Sequence, residues 1–256
     1  MTTAQAIPTD LKATLKRLKL GPMLDTLPER MTLAKQQKIP YAEFLLMVLQ
    51  DEVSRRDALA AVRRAHQANL DPAATLEAWD TTANVTFDQQ LLNELATLRF
   101  LEAQEHVVIV GPVGVGKTFL SYAIGHVACR RKYSVLALRA DKLLKGLRHS
   151  RLDNSYEREL RRLIAVDLLI VDDFGLDQME AQESRDAYEI FVERHRSGSM
   201  IVTSNRGPDE WLATFSDQLR AQAAIDRFCG SAHELVIDGE SYRLRQKPGG
   251  RAGSNG

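Results

Sequence analysis

The octapeptide GPVGVGKT, residues 111–118, lies between an apolar run, HVVIV at 106–110, and a stretch of helical periodicity, TFLSYAIGHVACRR at 118–131. A strand must turn there into a helix within a few residues. Gly114 and Gly116 permit backbone angles that a side chain would forbid, so successive N–H groups can point inward. The helix that follows aims its unpaired N–H donors and partial positive charge at the same spot. Such a concavity cradles an anion, and the run satisfies G-x-x-x-x-G-K-[ST] in full. Lys117 then neutralises β- and γ-phosphate charge, and the Thr118 hydroxyl is a ligand for Mg²⁺. Gly111, Pro112, Val113, Gly114, Val115, Gly116, Lys117, Thr118 and Phe119 are the expected ATP-binding segment.

Four more apolar runs follow at intervals filled by helical patterns: SVLAL (134–138), LLIV (168–171), MIVT (200–203) and ELVI (234–237). Continuous apolar strands separated by helices indicate an α/β protein with a parallel sheet covered on both faces.

The third run passes directly into Asp172 and Asp173, 55 residues beyond Lys117. Two adjacent carboxylates at a strand end call for a cation. A phosphate loop supplies the reason, because its Mg²⁺ takes a second protein ligand from a neighbouring strand. Asp172 is expected to reach the metal beside Thr118, directly or through water, and Asp173 is placed to orient or deprotonate the water that attacks the γ-phosphate. MIVTSNR ends in Ser204 and Asn205 at the same sheet edge. An Asn there can hold the water or the γ-phosphate, or it can simply serve the turn. Arg227, near the end of the helical stretch AAIDRF, is open to two readings. It can reach a neighbouring subunit's γ-phosphate, or it can pair with Asp226 at a solvated helix end.

The segment before the phosphate loop is helical over residues 9 to about 69. Leu45, Leu46, Leu49, Val53, Leu59 and Val62 recur as a stripe after Pro40, with Arg55, Arg56, Arg63 and Arg64 mostly off it. Residues 1–71 are read as a small helical domain, 72–88 as a linker, 89–245 as the α/β domain and 246–256 as a Gly-rich disordered tail. Asp88 is placed to cap QQLLNELATL. Apolar content of 44% over 256 residues sustains a sizeable core. No apolar run approaches the roughly 18 residues that span a bilayer. The N-terminus lacks a signal-peptide core, and Cys129 and Cys229 have no metal spacing, so a cytoplasmic protein is expected.

Formal net charge is zero, so the local distribution has to speak for partners. Residues 130–165 carry 11 Lys/Arg against 4 Asp/Glu, and residues 166–193 carry 9 Asp/Glu against 1 Lys/Arg. Within the basic block Lys142, Lys145, Arg148 and Arg151 recur at three-residue spacing and can share one helix face. That face suits a duplex phosphate backbone, and equally suits solvent. Aromatic residues are sparse there, which favours duplex contact over stacking on single strands.

GPVGVGKT, LLIVDDFG, IVTSNR and AAIDRF, in this order and spacing, resemble the AAA+ ATPases of the helicase-loader clade. LKLGPMLDTL, YAEFLLMVLQDEVSRRD and LATLRFLEAQEHVVIVGPVGVGKT narrow the resemblance to IstB-type ATP-binding proteins, transposition helpers encoded beside the transposase of bacterial insertion sequences. The resemblance covers residues 8 to 245. It implies a P-loop AAA+ core of strand order 5-1-4-3-2, a helical N-terminal domain and no full C-terminal lid. It also implies an ATPase that oligomerises on duplex DNA through ATP-bridged interfaces and recruits or activates the transposase. By that resemblance Gly111 to Thr118 are Walker A, Asp172 and Asp173 Walker B, Asn205 sensor 1, and Arg227 an arginine finger acting in trans. Arg243 stands where a sensor arginine could serve. AAA+ proteins commonly carry Glu where this chain has Asp173, and the shorter side chain implies slow hydrolysis. The runner-up reading is a replicative helicase loader, and a third is an ATP-gated scaffold with little turnover.

Overall fold

The structure is a computed structural model that describes residues 6–242. The chain divides into two compact units, Met1–Ala60 and Ala61–Gly256.

In the first unit α1 (Thr9–Arg17) and α2 (Met23–Gln37) precede the start of α3 (Tyr41–Gln67). Pro22 stands at the N-cap of α2, where its missing N–H costs nothing. The core is small: Ile7, Leu15, Met23, Leu27 and Val48. Arg30 holds Asp51 through two hydrogen bonds of 2.7 and 3.0 Å, and Arg55 and Arg56 both bind the buried carboxylate of Glu52. The side of α3 turned to α1 and α2 is thus Phe44, Val48 and charged pairs. The apolar stripe expected from the sequence is not a core face. Leu45, Leu46, Leu49, Val53, Leu59 and Val62 are all exposed, and Tyr41 is 95% exposed. Two short helices can cover only one side of a helix this long.

The second unit is built on a five-stranded parallel sheet: β1 (His106–Val110), β2 (Val135–Arg139), β3 (Leu168–Asp172), β4 (Ser199–Ser204) and β5 (Ala232–Val236). Its order is β2-β3-β4-β1-β5, the expected 5-1-4-3-2 read from the other edge. Helices cover both faces, namely α4 (Gln89–Ala96), α5 (Arg99–Glu102), α6 (Lys117–Arg130), α7 (Ala140–Leu152), α8 (Tyr156–Ala165), α9 (Ala181–Arg194), α10 (Pro208–Trp211) and α11 (Gln218–Cys229). Alternate strand residues feed two cores. Val107, Ile109, Leu168, Ile170 and Ile201 pack with Leu120 and Ile124 of α6. Val108, Leu136, Leu169, Met200 and Val202 pack with residues of α7, α9 and α11 on the other face. Asp88 caps α4 by accepting from the N–H groups of Gln90 and Leu91.

A buried arginine ties the base of the sheet together. Arg194, at the end of α9, donates to the carbonyls of Leu163, Ile164, Val166, Asp167 and Ser199. Burial pulls its pKa down to about 10.

The units meet at Ala60–Ala61 rather than at residue 71. Ala65, Ala68 and Leu70 belong to the core formed with Val107 and Ile109, and Ala68 accepts a hydrogen bond from the Ala137 N–H on edge strand β2. The expected linker 72–88 also folds onto this unit. It forms a 3₁₀ turn at Leu76–Ala78, and Val85–Thr86 pairs antiparallel with Asp238–Gly239. Among the described residues no helical lid follows β5. The expected tail and Arg243 lie outside the described residues.

Candidate functional site

β1 ends at Val110 between Ser204 of β4 and Val236 of β5. The loop that follows reaches α6 through Gly114 at φ 87° and Gly116 at φ 102°. Only glycine adopts the latter angle without strain. Crowding adds a second constraint at Gly111, where a Cβ would stand 2.2 Å from the Ile237 carbonyl oxygen.

Lys117 opens α6 and is 5% exposed. Its Nζ donates to the carbonyls of Gly111 (2.8 Å) and Pro112 (2.7 Å) and to Oδ1 of Asn205 (2.6 Å). The sequence-predicted Walker A lysine and sensor asparagine, 88 residues apart, therefore touch. Thr118, one position on, donates from Oγ1 to Oδ1 of Asp172 at 2.8 Å. The expected metal-ligand pair is thus in direct contact at the end of β3.

Asp172 is 3% exposed, and the same oxygen accepts a second hydroxyl, Thr203 Oγ1, at 2.6 Å. Thr203 also accepts from the backbone N–H of Asp173 at 3.0 Å. Sequence reasoning singles out Ser204 and Asn205 and misses Thr203. The signal available was sheet order, because β3 and β4 are adjacent and paired through Val171 and Val202, which sets Asp172 beside Thr203. Ser204 serves the fold instead. Its hydroxyl donates to the Phe174 carbonyl and accepts from the indole N–H of the buried Trp211.

Asp173 adopts φ 58°, a left-handed angle. Asp tolerates it better than most residues but still at a cost, and such strain concentrates where a side chain must be aimed. The turn redirects the second carboxylate out of the strand line, so that Asp172 faces Thr118 while Asp173 lines the open pocket. Gly175 at φ 73° completes the turn.

The pocket measures about 770 Å³ and runs along the phosphate loop from Asp173 and Asn205 to Phe119 and Tyr122. Burial, reinforced by the negative charge of Asp172 and Asp173, raises the Tyr122 phenol above its ordinary range. Residues 71–83 supply its far wall, and Tyr242 lies over the loop.

The remaining candidates lie elsewhere. Arg227 is exposed on α11. That helix leads into Ala232, which pairs with His106 at the start of β1, so Arg227 lies toward the sheet edge opposite its own phosphate loop. Lys142 and Lys145 are exposed on α7, with Lys145 3.6 Å from Asp141. Arg148 is exposed beside them and, like Lys145, has acids nearby, whereas Arg151 is turned away into a buried pair. Arg148 lies near Glu180 (3.6 Å) and Glu183 (3.8 Å). Arg151 grips the buried carboxylate of Asp186 with both terminal nitrogens and stacks 3.8 Å over the Tyr156 ring. The acidic block that follows in sequence returns as α9 beside α7 and neutralises Arg151.

The model of the family described as IstB-like ATP binding protein matches residues 13–249. An insertion-sequence ATP-binding protein of Mycobacterium tuberculosis is 36% identical over 240 residues, 93% of this chain and 96% of that one. The ATP-binding protein of insertion sequence IS21 from Pseudomonas aeruginosa is 35% identical over 238 residues, 93% of this chain and 90% of that one. Among solved structures, DnaI superposes with a TM-score of 0.55 at 22% identity, covering 64% of this chain and 90% of DnaI. The DnaC helicase loader gives 0.54 at 18% identity, covering 65% of this chain and 97% of that one. AMPPCP-bound DnaA from Aquifex aeolicus gives 0.53 at 24% identity over 68% of this chain, which spans only about half (53%) of DnaA.

Proposed function

The chain belongs to the IstB-like ATP-binding family of insertion sequences, and we propose that it is an ATP-hydrolysing switch that assembles on duplex DNA and serves the transposase of its element. Its core is an AAA+ fold of the kind seen in DnaI and DnaC. The observation that carries the reading is the convergence of Lys117, Thr118, Asp172 and Asn205 at one sheet edge, joined by hydrogen bonds of 2.6 and 2.8 Å.

Each group has a separable role. The inward N–H groups of residues 111–118 and Lys117 bind the phosphates. Thr118 and Asp172 offer a hydroxyl and a carboxylate oxygen, the hard donors that suit Mg²⁺. Mg²⁺ held there would neutralise charge developing on the phosphates. Asp172 is fixed by Thr203, so its oxygen needs little reorganisation. Asp173, turned into the pocket, orients the attacking water or takes its proton. Asn205 positions the γ-phosphate end beside Lys117. Arg227, on the far side of its own subunit, completes the site of a neighbour, which makes hydrolysis depend on assembly. ATP then closes subunit interfaces and hydrolysis releases them.

DNA contact falls to the exposed face of α7 that carries Lys142, Lys145 and Arg148, because Arg151 is committed to the buried Asp186 while the ion pairs of Lys145 and Arg148 are long and exposed. A few such cations per subunit become a basic track only when subunits line up, and phosphate contacts of this kind carry no sequence preference. A filter-binding comparison of duplex and single-stranded DNA, with ATP and with ADP, tests the proposal. ATP-dependent duplex binding supports it. ATP-dependent preference for single strands favours a helicase-loader role.

A further inference from the structure

The pocket's far wall comes from a segment that the sequence marks only as a linker. Trp79 sits there, half-buried, with its indole against the phosphate loop: a Cβ at Gly116 would stand 2.7 Å from the ring's outer edge. The ring is held at 5.4 Å from the Phe119 centroid, tilted by 60°, and at 5.7 Å from Phe87, edge-on. Its neighbours along the wall, Ala73, Ala74 and Ala78, are small and apolar. Phosphates need none of this. A flat aromatic surface beside small apolar side chains suits a planar heteroaromatic base.

The wall is also latched to the end of the domain. Asp80 accepts the Tyr242 hydroxyl at 2.9 Å, and the backbone N–H of Tyr242 donates to the Gly114 carbonyl at 2.9 Å. The Val85–Thr86 and Asp238–Gly239 pairing and the bond from the Glu240 N–H to the Asn84 carbonyl bind the same two segments side by side. Ser241 packs against Gly114, where a Cβ would come within 2.1 Å of its hydroxyl oxygen. The pocket of about 770 Å³ falls within the roughly 300–1,000 Å³ of small-molecule sites.

We propose that Trp79 stacks on the purine base of the bound nucleotide, and that the Asp80–Tyr242 bridge holds this wall over the phosphate loop. The proposal rests on the phosphate loop being a nucleotide site. A ring already held against Phe87 and Phe119 loses little freedom on stacking, so the contact is preorganised. The bridge joins the segment before β1 to the segment after β5, so both ends of the domain close over one ligand.

Titration calorimetry with ATP and with inorganic tripolyphosphate, which lacks a base, separates the two claims. Trp79→Ala should weaken ATP on the order of tenfold to a hundredfold and leave tripolyphosphate unchanged, while Trp79→Phe should recover most of the loss. Equal weakening of both ligands would mean that Trp79 merely props the loop, and no change in either would remove it from the site. Both results overturn the stacking claim. Tyr242→Phe, which keeps the backbone bond to Gly114, should speed ATP dissociation severalfold in stopped flow, and an unchanged rate overturns the bridge. If the unsubstituted protein binds neither ligand, the phosphate-site reading itself fails, and the proposal with it.

Discussion

Thr118 and Thr203 donate to the same oxygen, Oδ1 of Asp172, at 2.8 and 2.6 Å. One hydroxyl comes from the helix after the phosphate loop and the other from the neighbouring strand. The carboxylate they share is thereby fixed before any ligand arrives, a preorganised electrostatic arrangement.

Removing one of those donors should separate stability from binding. Thr203→Val deletes the hydroxyl that serves both Asp172 and the Asp173 N–H. Leaving buried polar groups unmatched costs about 1–3 kcal/mol. Urea denaturation should show that loss, and ATP hydrolysis should fall further than ATP affinity. Unchanged hydrolysis would mean that Thr203 has no part in placing the two acids.

Asp173 offers a different contrast. Asn tolerates the left-handed angle at this position nearly as well as Asp. Asp173→Asn should therefore keep the melting temperature and ATP binding. Loss of a general base predicts a fall in hydrolysis of about 10²-fold or more. Thermal melts and single-turnover assays read the two effects apart.

The acids and the loop were legible in the sequence because motif spacing constrains them. The strand order came from the family resemblance, and reading the strand ends as one sheet edge placed Thr118, Asp172 and Asn205 near the loop without showing that Lys117 touches Asn205. Thr203 was overlooked although the order 5-1-4-3-2 already sets β4 beside β3, because it reads as the last residue of the apolar run MIVT rather than as part of the polar strand end. Trp79 escaped for another reason: residues 72–88 have no period, so nothing local shows that Val85–Thr86 pairs with Asp238–Gly239 from the far end of the domain. The α3 stripe misled in the opposite direction. Helical periodicity marks Leu45, Leu49 and Val53 as one face without saying whether α1 and α2 can cover it, and they do not. The spacing of Lys142, Lys145, Arg148 and Arg151 likewise could not show that Asp186 would be buried under Arg151.

His106 sets a pH dependence. It is fully buried, accepts from the Met200 N–H through Nδ1 and stacks on Phe228. Burial, with Arg194 and His195 nearby, pulls its pKa down to about 4. The unfolded chain therefore binds this proton at higher pH than the folded one, so stability is full above about pH 6.5 and drains away toward pH 4. The loss amounts to about 3 kcal/mol across that window. In urea titrations at pH 7.5 and 5, His106→Asn should show a shallower pH dependence than the unsubstituted protein, and an equal slope would exclude His106 as its source.

Arg194 should be the least replaceable charged residue of the fold. Its guanidinium serves five carbonyls, and Arg194→Leu strands them in the interior. A destabilisation of at least about 3 kcal/mol is expected, seen as a large drop in denaturation midpoint or as insoluble expression. Arg194→Lys recovers only part, because one ammonium cannot span five acceptors.

Under the proposed function, nucleotide held by Lys117, Thr118 and the two acids switches the protein onto duplex DNA. That switch is tested most directly by measuring duplex binding with ATP, with ADP and with the Lys117→Ala protein. Binding with ATP, release on conversion to ADP, and loss of ATP-dependent binding in the variant are the expected results. Duplex binding that is equally tight in all three conditions would contradict it.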